Sequence, residues 1–199
     1  QLARADAGAT SPGARERLLA VNELAASFFQ TAFPGSWAQP YLAERLHTDL
    51  TGDPGWRPGL APNTWNALVT HLHRHGVTDT ELLTAGLATT TRDGRLIDRF
   101  RNRLVFPITS PDGVLGFVGR RHPHLGDHDH AGPKYLNTPE TPLFHKGDQL
   151  FGRAGGLDDG AVPVVVEGPL DAIAVNLASA GRYTGVAPLG TSLTDTQAV

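Results

Sequence analysis

Two apolar runs, Leu104 to Thr109 and Val114 to Arg120, flank the tetrapeptide Ser110-Pro111-Asp112-Gly113. Asp-Gly supplies the positive φ that a tight antiparallel connection needs, so the segment is predicted to be a strand, a turn and a return strand. Its flanks are basic. Between Arg92 and Arg121 stand seven arginines against three aspartates, a local excess of +4, although the 199-residue chain carries −3 overall. A focused positive patch attracts phosphates even on an acidic protein. Arg99, Arg101 and Arg103 recur at every second position just ahead of the first strand. If extended geometry reaches back that far, all three leave the sheet on one side and form an anion surface. The competing reading is a solvated strand entrance whose arginines pair with Asp98 and other nearby carboxylates.

Upstream of the hairpin the apolar residues take helical spacing. Ser11-Pro12 reads as an N-cap and first helical residue, and Leu18, Val21, Ala25 and Phe28 form one stripe of a helix reaching about Gln30. Pro34-Gly35-Ser36 breaks it. Trp37 to Leu46 restarts with Tyr41, Leu42 and Leu46 as its apolar face, and Thr51 to Gly59 reads as a loop. Trp65, Leu68, Val69 and Leu72 give the clearest helical stripe, ended by His75-Gly76. Thr78 and Glu81 form a capping box that opens a short helix stopping at Gly86. Residues 11–86 therefore read as helical, and residues 1–10 as a mobile end.

From Leu87 the period alternates, with a second turn at Arg92-Asp93-Gly94, so residues 87–152 read as a small antiparallel sheet. Gly152 to Gly160 reads as a hinge. Val162 to Val166 is a β-branched run patterned for burial on both faces of a parallel sheet. Glu167-Gly168-Pro169 and a helix from Leu170 to Ala180 follow, a strand–turn–helix unit that puts its functional residue at the carboxyl end of the strand. Glu167 would sit there, although a carboxylate at a helix N-terminus is also favoured by the dipole alone. Tyr183 to Ala187 reads as the next strand, and Gly190-Thr191-Ser192 as a turn into a further helix.

Composition removes several classes. The chain has no cysteine, which excludes disulfides and a cysteine-ligated zinc site. Hydrophobic residues make up 40% and there are three tryptophans, as in folded rather than disordered proteins. No apolar run reaches the roughly 20 residues of a membrane helix, and the N-terminus does not read as a signal peptide, so a cytoplasmic location is expected. His122, His124, His128 and His130 with Asp127 and Asp129 suggest a metal tract. Their spacing matches no standard site, however, and an exposed polar loop is the stronger expectation. His71, His73 and His75 are discounted for want of the carboxylate of a hydrolase signature.

The segments DRFRNR (98–103), FPI (106–108), GFVGRR (116–121), PKYLNTPETPLFHKGDQLFG (133–152), VVVEGPLDAIAV (164–175) and PLGTSLTDTQA (188–198) stand in this order. Together they resemble the catalytic core of bacterial DnaG-type DNA primases, over roughly Asn22 to the end. VVVEGPLDAIAV resembles the first signature of the Toprim fold shared by primases and topoisomerases. The resemblance implies an α+β fold: a primase core N-terminal domain over residues 11–152, then an incomplete α/β Toprim lobe beginning at residue 161. It also implies template-directed synthesis of short RNA primers on single-stranded DNA. Glu167 matches the family's first catalytic and metal-binding carboxylate, and Asp171, one helical turn on, could face the same pocket. Mg2+ or Mn2+ is the implied ion, since such chemistry uses divalent cations on clustered carboxylates. Arg99, Arg101, Arg103, Arg120 and Lys134, with Asn137, His145 and Lys146, fall where the family holds nucleotide phosphates or template.

The implied partners are the single-stranded DNA template, nucleoside triphosphates and a replicative helicase, with no membrane. The pattern departs from the family in three places. GPLD stands for the usual GYMD, no zinc module precedes the core, and the family's downstream acidic pair would fall beyond Val199. The chain alone is therefore expected to hold part of the metal cage and to make no primers. Two rival readings stand beside this one. The first is a non-catalytic module that binds single-stranded nucleic acid within a replication or mobile-element protein. The second is another Toprim enzyme, nuclease-like or topoisomerase-like, for which Tyr41, Tyr135 and Tyr183 lack the context of a nucleophile.

Overall fold

A computed structural model of the chain describes residues 11–126, 131–152, 160–190 and 193–198. The predicted mobile end (1–10), residues 127–130 of the histidine-rich loop, residues 153–159 of the predicted hinge and the Thr191-Ser192 turn lie outside the described residues.

The helical part begins as its sequence dictates. Ser11 caps α1 (Pro12–Thr31), its hydroxyl accepting from the Ala14 amide, with proline at the first position. Helix α2 (Ala38–Leu46) follows. Helix α3 (Ala67–Arg74) starts later than its apolar stripe suggests, because its cap comes from a distant segment. The buried Asp98 carboxylate accepts from the Leu68 and Val69 amides at 2.9 Å each, and burial raises its pKa against those two donors. Trp65 is therefore outside the helix and 65% exposed, not part of the core stripe. Helix α4 (Asp79–Thr84) opens on the complete capping box: the Thr78 hydroxyl accepts from the Glu81 amide, and the Glu81 carboxylate accepts from the Thr78 amide at 2.7 Å.

The predicted hairpin forms with β4 (Arg103–Ser110) and β5 (Gly113–Arg121) in register from Arg103 opposite Arg121 to Ser110 opposite Gly113, with an irregularity between Ile108 and Thr109. Two short strands complete its sheet, β1 (Gly59–Ala61) along β4 and β6 (Tyr135–Asn137) along β5. Strand β1 arises in the segment read as a loop and helix lead-in. It approaches α1 so closely that a Cβ on Gly59 would come within 2.6 Å of Phe29 Cβ, so only glycine fits there.

Residues 87–152 contribute to three sheets instead of one. Strands β2 (Ala88–Thr90) and β3 (Leu96–Asp98) pair by themselves. Strand β7 (Leu150–Gly152) leaves the central sheet altogether and pairs antiparallel with β9 (Tyr183–Pro188), which also pairs in parallel with β8 (Val162–Val165). Helix α5 (Pro169–Ala178) connects β8 to β9 and packs on both. Strand β8 is an edge strand, and Val162 and Val165 are 55% and 51% exposed. Burial on both faces, the expectation from its composition, is not met because among the described residues β8 has a single neighbouring strand and one helix over it.

The aromatic core joins these parts. Phe29 of α1 meets Phe117 of β5 edge-on at 5.4 Å, and Phe100 completes the cluster at 6.2 Å from Phe117. Phe151 of β7 packs at 6.0 Å against both Phe106 of β4 and Trp56. The C-terminal sheet is thereby fastened to the N-terminal core. Among the described residues the protein is α+β with five α-helices, none long and apolar enough to cross a membrane.

Candidate functional site

The three alternating arginines do not share a face. Asn102 adopts φ 49°, which interrupts extended geometry immediately before β4, and each arginine takes a separate direction. Arg99 donates from Nε and Nη2 to the Asn137 carbonyl at 3.2 and 3.0 Å, holding β6. Arg101 donates to the Asp98 carbonyl and lies 4.6 Å from the Trp65 indole. Arg103 is 3% exposed. Its guanidinium donates to the carbonyls of Gly119 (3.0 Å), Pro133 (2.9 Å) and Ala131. Burial, reinforced by the nearby Arg121, Arg101 and Arg99, lowers its pKa to about 10, so it stays cationic at neutral pH. Gly119 makes room for this: a Cβ there would sit 2.8 Å from Phe100 Cδ1 and 3.1 Å from Arg103 Cδ.

Arg120, at the end of β5, is the better-placed cation. Its guanidinium carbon lies 5.2 Å from the Tyr41 ring and 5.6 Å from the Tyr135 ring, and its Nε donates to the Tyr41 hydroxyl at 2.5 Å. Two aromatic faces hold it in one orientation. Lys134 is exposed, its ammonium 5.9 Å from the Tyr135 ring. Burial raises the Tyr135 phenol pKa, with Arg120 working against the shift. Tyr41 belongs to this group through α2, a contact that spans 79 positions and leaves no local signal in the sequence.

Beside Tyr135 lies a cleft of about 200 Å³ where the sheet meets the carboxyl end of β8, lined by Val118, Tyr135, Asn137, Glu167, Leu189 and Gly190. Glu167 stands two residues past the end of β8, is exposed, and makes no hydrogen bond or ion pair among the described residues. Asn137 donates to the Leu189 carbonyl at 2.6 Å, but its Oδ1 is buried without a partner, one of two such side-chain atoms among the described residues with Asn22 Oδ1. An unpaired buried oxygen is costly, and here it lies in a residue that lines the cleft. Asp171 is drawn to α2, its Oδ1 3.7 Å from Arg45 Nη2.

The structure thus places Asn137 and Glu167 in one cleft, joins Arg120 and Lys134 to it through the Tyr135 ring, and holds the Asn137 backbone with Arg99. His145 and Lys146 are held elsewhere. His145 Nδ1 pairs with Glu140 at 2.9 Å, and the Lys146 carbonyl accepts from Gln197 at 2.9 Å in the 3-10 turn Asp195–Ala198. No described contact joins either to Glu167. In the histidine-rich loop, the His122 ring lies tilted against Trp37 at 4.3 Å; His128, His130, Asp127 and Asp129 lie outside the described residues.

A fixed cation between aromatic rings, one of which also lines the cleft of an unpaired carboxylate, suits a protein that handles a phosphate-bearing polymer. The family model for the DNA primase catalytic core, N-terminal domain, matches residues 28–155, and the chain belongs to that family. The DNA primase of Mycobacterium tuberculosis is 42% identical over 187 residues, which cover 90% of this chain and 28% of that protein. A crystal structure of the RNA polymerase domain of M. tuberculosis primase DnaG with double-stranded DNA superposes with a TM-score of 0.79 at 37% identity, over 93% of this chain and 58% of that one. A DnaG primase catalytic domain bound to single-stranded DNA matches with a TM-score of 0.71 at 36% identity, over 92% of this chain and 58% of that one. The chain therefore spans less than a third of the M. tuberculosis primase.

Proposed function

We propose that the chain supplies the template-binding face and the first metal-binding carboxylate of a primase active centre, in a cytoplasmic protein that synthesises short RNA primers on single-stranded DNA. One observation carries this reading: Glu167 lines the same cleft as Tyr135 and Asn137 of the basic sheet. A carboxylate without a cation of its own, next to an anion-attracting surface, is where a divalent ion would join protein to nucleotide phosphates. The relative bound to single-stranded DNA supports the template half of the reading.

The donors available fit a hard cation in kind. Glu167 offers carboxylate oxygens and Asn137 an unpartnered amide oxygen, the chemistry that Mg2+ or Mn2+ prefers. Asp171 would join them only by leaving Arg45. Among the described residues no three acidic or histidine side chains converge, so an ion held here keeps several waters. When bound, it would lower the pKa of the attacking 3′ hydroxyl and neutralise the leaving pyrophosphate. The chain's own residues do the remaining work. Arg120, oriented by Tyr41 and Tyr135, presents its remaining N–H groups to phosphate oxygens of the template or of an incoming nucleoside triphosphate, and Lys134 adds a mobile charge. Arg99 and Arg103 act behind them by fixing β6 and the segment that leads into it. A replicative helicase is the family's expected partner, with no surface here assigned to it.

The test is primer synthesis by a full primase core carrying this chain, on single-stranded DNA with nucleoside triphosphates and Mg2+. RNA complementary to the template is the expected product. Salt-sensitive binding of the template with no RNA product would instead leave a non-catalytic single-strand-binding module.

A further inference from the structure

The last turn of α3 and its cap carry three histidines, His71, His73 and His75, and none of them lines the Glu167 cleft. The fold separates them. His73 turns to the start of α4, its Nε2 2.7 Å from Asp79 Oδ1. His71 and His75, one helical turn apart, come together, with ring centroids 4.4 Å apart and planes inclined by 38°. His71 is half-buried against the Phe28 ring of α1 at 4.9 Å, and His75 is exposed.

The proton positions of this pair follow from its contacts. His75 Nδ1 donates to the His71 carbonyl at 2.9 Å; because a carbonyl only accepts, the hydrogen is on Nδ1 and the neutral ring keeps its lone pair on Nε2. One ring nitrogen given to a backbone carbonyl while the other is left free is how metal-ligating histidines are held. Burial, with His75 and Arg74 adding to it, lowers the His71 pKa, so this ring too is neutral at pH 7 and has a lone pair to give. The guanidinium of Arg17, which reaches the nearby Gly76 carbonyl, is balanced by Glu81 at 2.6 Å. A helix C-terminus favours a cation. With metal–nitrogen distances of about 2.0–2.1 Å, two imidazoles on one ion stand at nearly the separation seen here.

We propose that His71 and His75 form a two-histidine site for a transition-metal cation of the Ni2+, Cu2+ and Zn2+ group, separate from the Glu167 cleft. Imidazole suits those ions, whereas Mg2+ takes oxygen ligands. Among the described residues no third histidine or acidic side chain joins the pair, so water fills the remaining positions. The ion ties together the last turn of α3 and, through the ring that packs on Phe28, holds that turn against α1. Its role is to stabilise the helical part, and primer synthesis does not pass through it.

The test uses the whole chain without a histidine tag, in a background where His122, His124, His128 and His130 of the loop are alanine, so that those imidazoles do not compete. With one equivalent of Cu2+, electron paramagnetic resonance should show nitrogen ligation, lost in His71→Ala and in His75→Ala and kept in His73→Ala. His75 is exposed, so His75→Ala keeps the fold and tests the site even where His71→Ala unfolds. With Zn2+ at ten times its dissociation constant, Tm should rise by roughly 3–6 °C, and the rise should vanish in His75→Ala; Mg2+ at the same concentration should leave Tm unmoved. Absence of nitrogen-ligated Cu2+ in that background would overturn the site. So would a nitrogen signal, or a Zn2+ shift in Tm, that survives either His71→Ala or His75→Ala.

Discussion

Replacing Arg103 by alanine separates a structural arginine from a template contact. The side chain is 3% exposed and gives its guanidinium protons to the carbonyls of Gly119, Ala131 and Pro133, joining β5 to the segment that leads into β6. Its removal leaves three carbonyls without that donor, each costing about 1–3 kcal/mol if it stays dry. The space vacated by so long a side chain admits water, so the lower end of that range applies and the expected destabilisation is about 3–4 kcal/mol. For a protein of this size, at about 2–4 °C per kcal/mol, Tm should fall by roughly 6–16 °C. Urea unfolding should show the midpoint lowered at constant m value. Well below the transition, the folded variant should bind single-stranded DNA with wild-type affinity and salt slope. Stability within about 0.5 kcal/mol of the wild type, together with weakened DNA binding, would refute the clamp and return Arg103 to the template surface.

Arg120→Ala should act in the opposite way, leaving stability nearly intact while reducing the salt slope of single-strand binding by about 1 for each phosphate the guanidinium had neutralised; an unchanged slope would count against it. The hydrogen bond from Arg17, helped by Thr78, holds the Glu81 carboxyl at about 2 against an ordinary 4.5. A carboxylate lowered on folding stabilises above its unfolded pKa, so this contribution should be present at neutral pH and disappear as the pH falls from about 4.5 toward 2. Arg17→Ala should bring the carboxyl back toward its ordinary value in an NMR titration, and a pKa unmoved by that change would reject the pairing. Hydrogen exchange should be faster at the amides of Val162, Val164 and Val165, in an exposed edge strand, than in β4 and β5; equal protection would mean that another chain covers β8.

How far the fold could be read depended on whether a segment carried its own determinants. The β4–β5 hairpin has its apolar runs and its Asp-Gly turn within one stretch, and α4 carries its whole capping box, so both form within a residue or two of expectation. Helix α3 is different, because the carboxylate that sets its start is Asp98, about thirty positions away; a local stripe alone carried the helix back to Trp65. The left-handed conformation of Asn102 has the same character. It accompanies the Asn102 amide donating to the Pro62 carbonyl and its side-chain oxygen accepting from Trp37, and it sends three apparently equivalent arginines in different directions, to the Asn137 carbonyl, the Trp65 ring and the carbonyls ahead of β6. The place of Glu167, between β8 and α5, was legible because a strand, a turn and a helix follow one another around it. The aromatic pair around Arg120 was not, since Tyr41 and Tyr135 meet only in the folded chain. Strand β7 joins the C-terminal sheet through partners its own three residues do not reveal: it pairs with β9, more than thirty positions on, while Phe151 packs at 6.0 Å against both Trp56 and Phe106.

The central claim is that Glu167 carries the metal-dependent chemistry while the basic, aromatic face of the sheet carries the template. Primer synthesis and template affinity, measured side by side for Glu167→Gln in a full primase core carrying this chain, test it most directly. The substitution keeps the shape of the side chain and removes the charge that a divalent ion needs. Primer synthesis should be abolished, with the dissociation constant for single-stranded template and its salt dependence unchanged. Primer synthesis at a near wild-type rate would contradict the account, and so would a fall in template binding in parallel with activity.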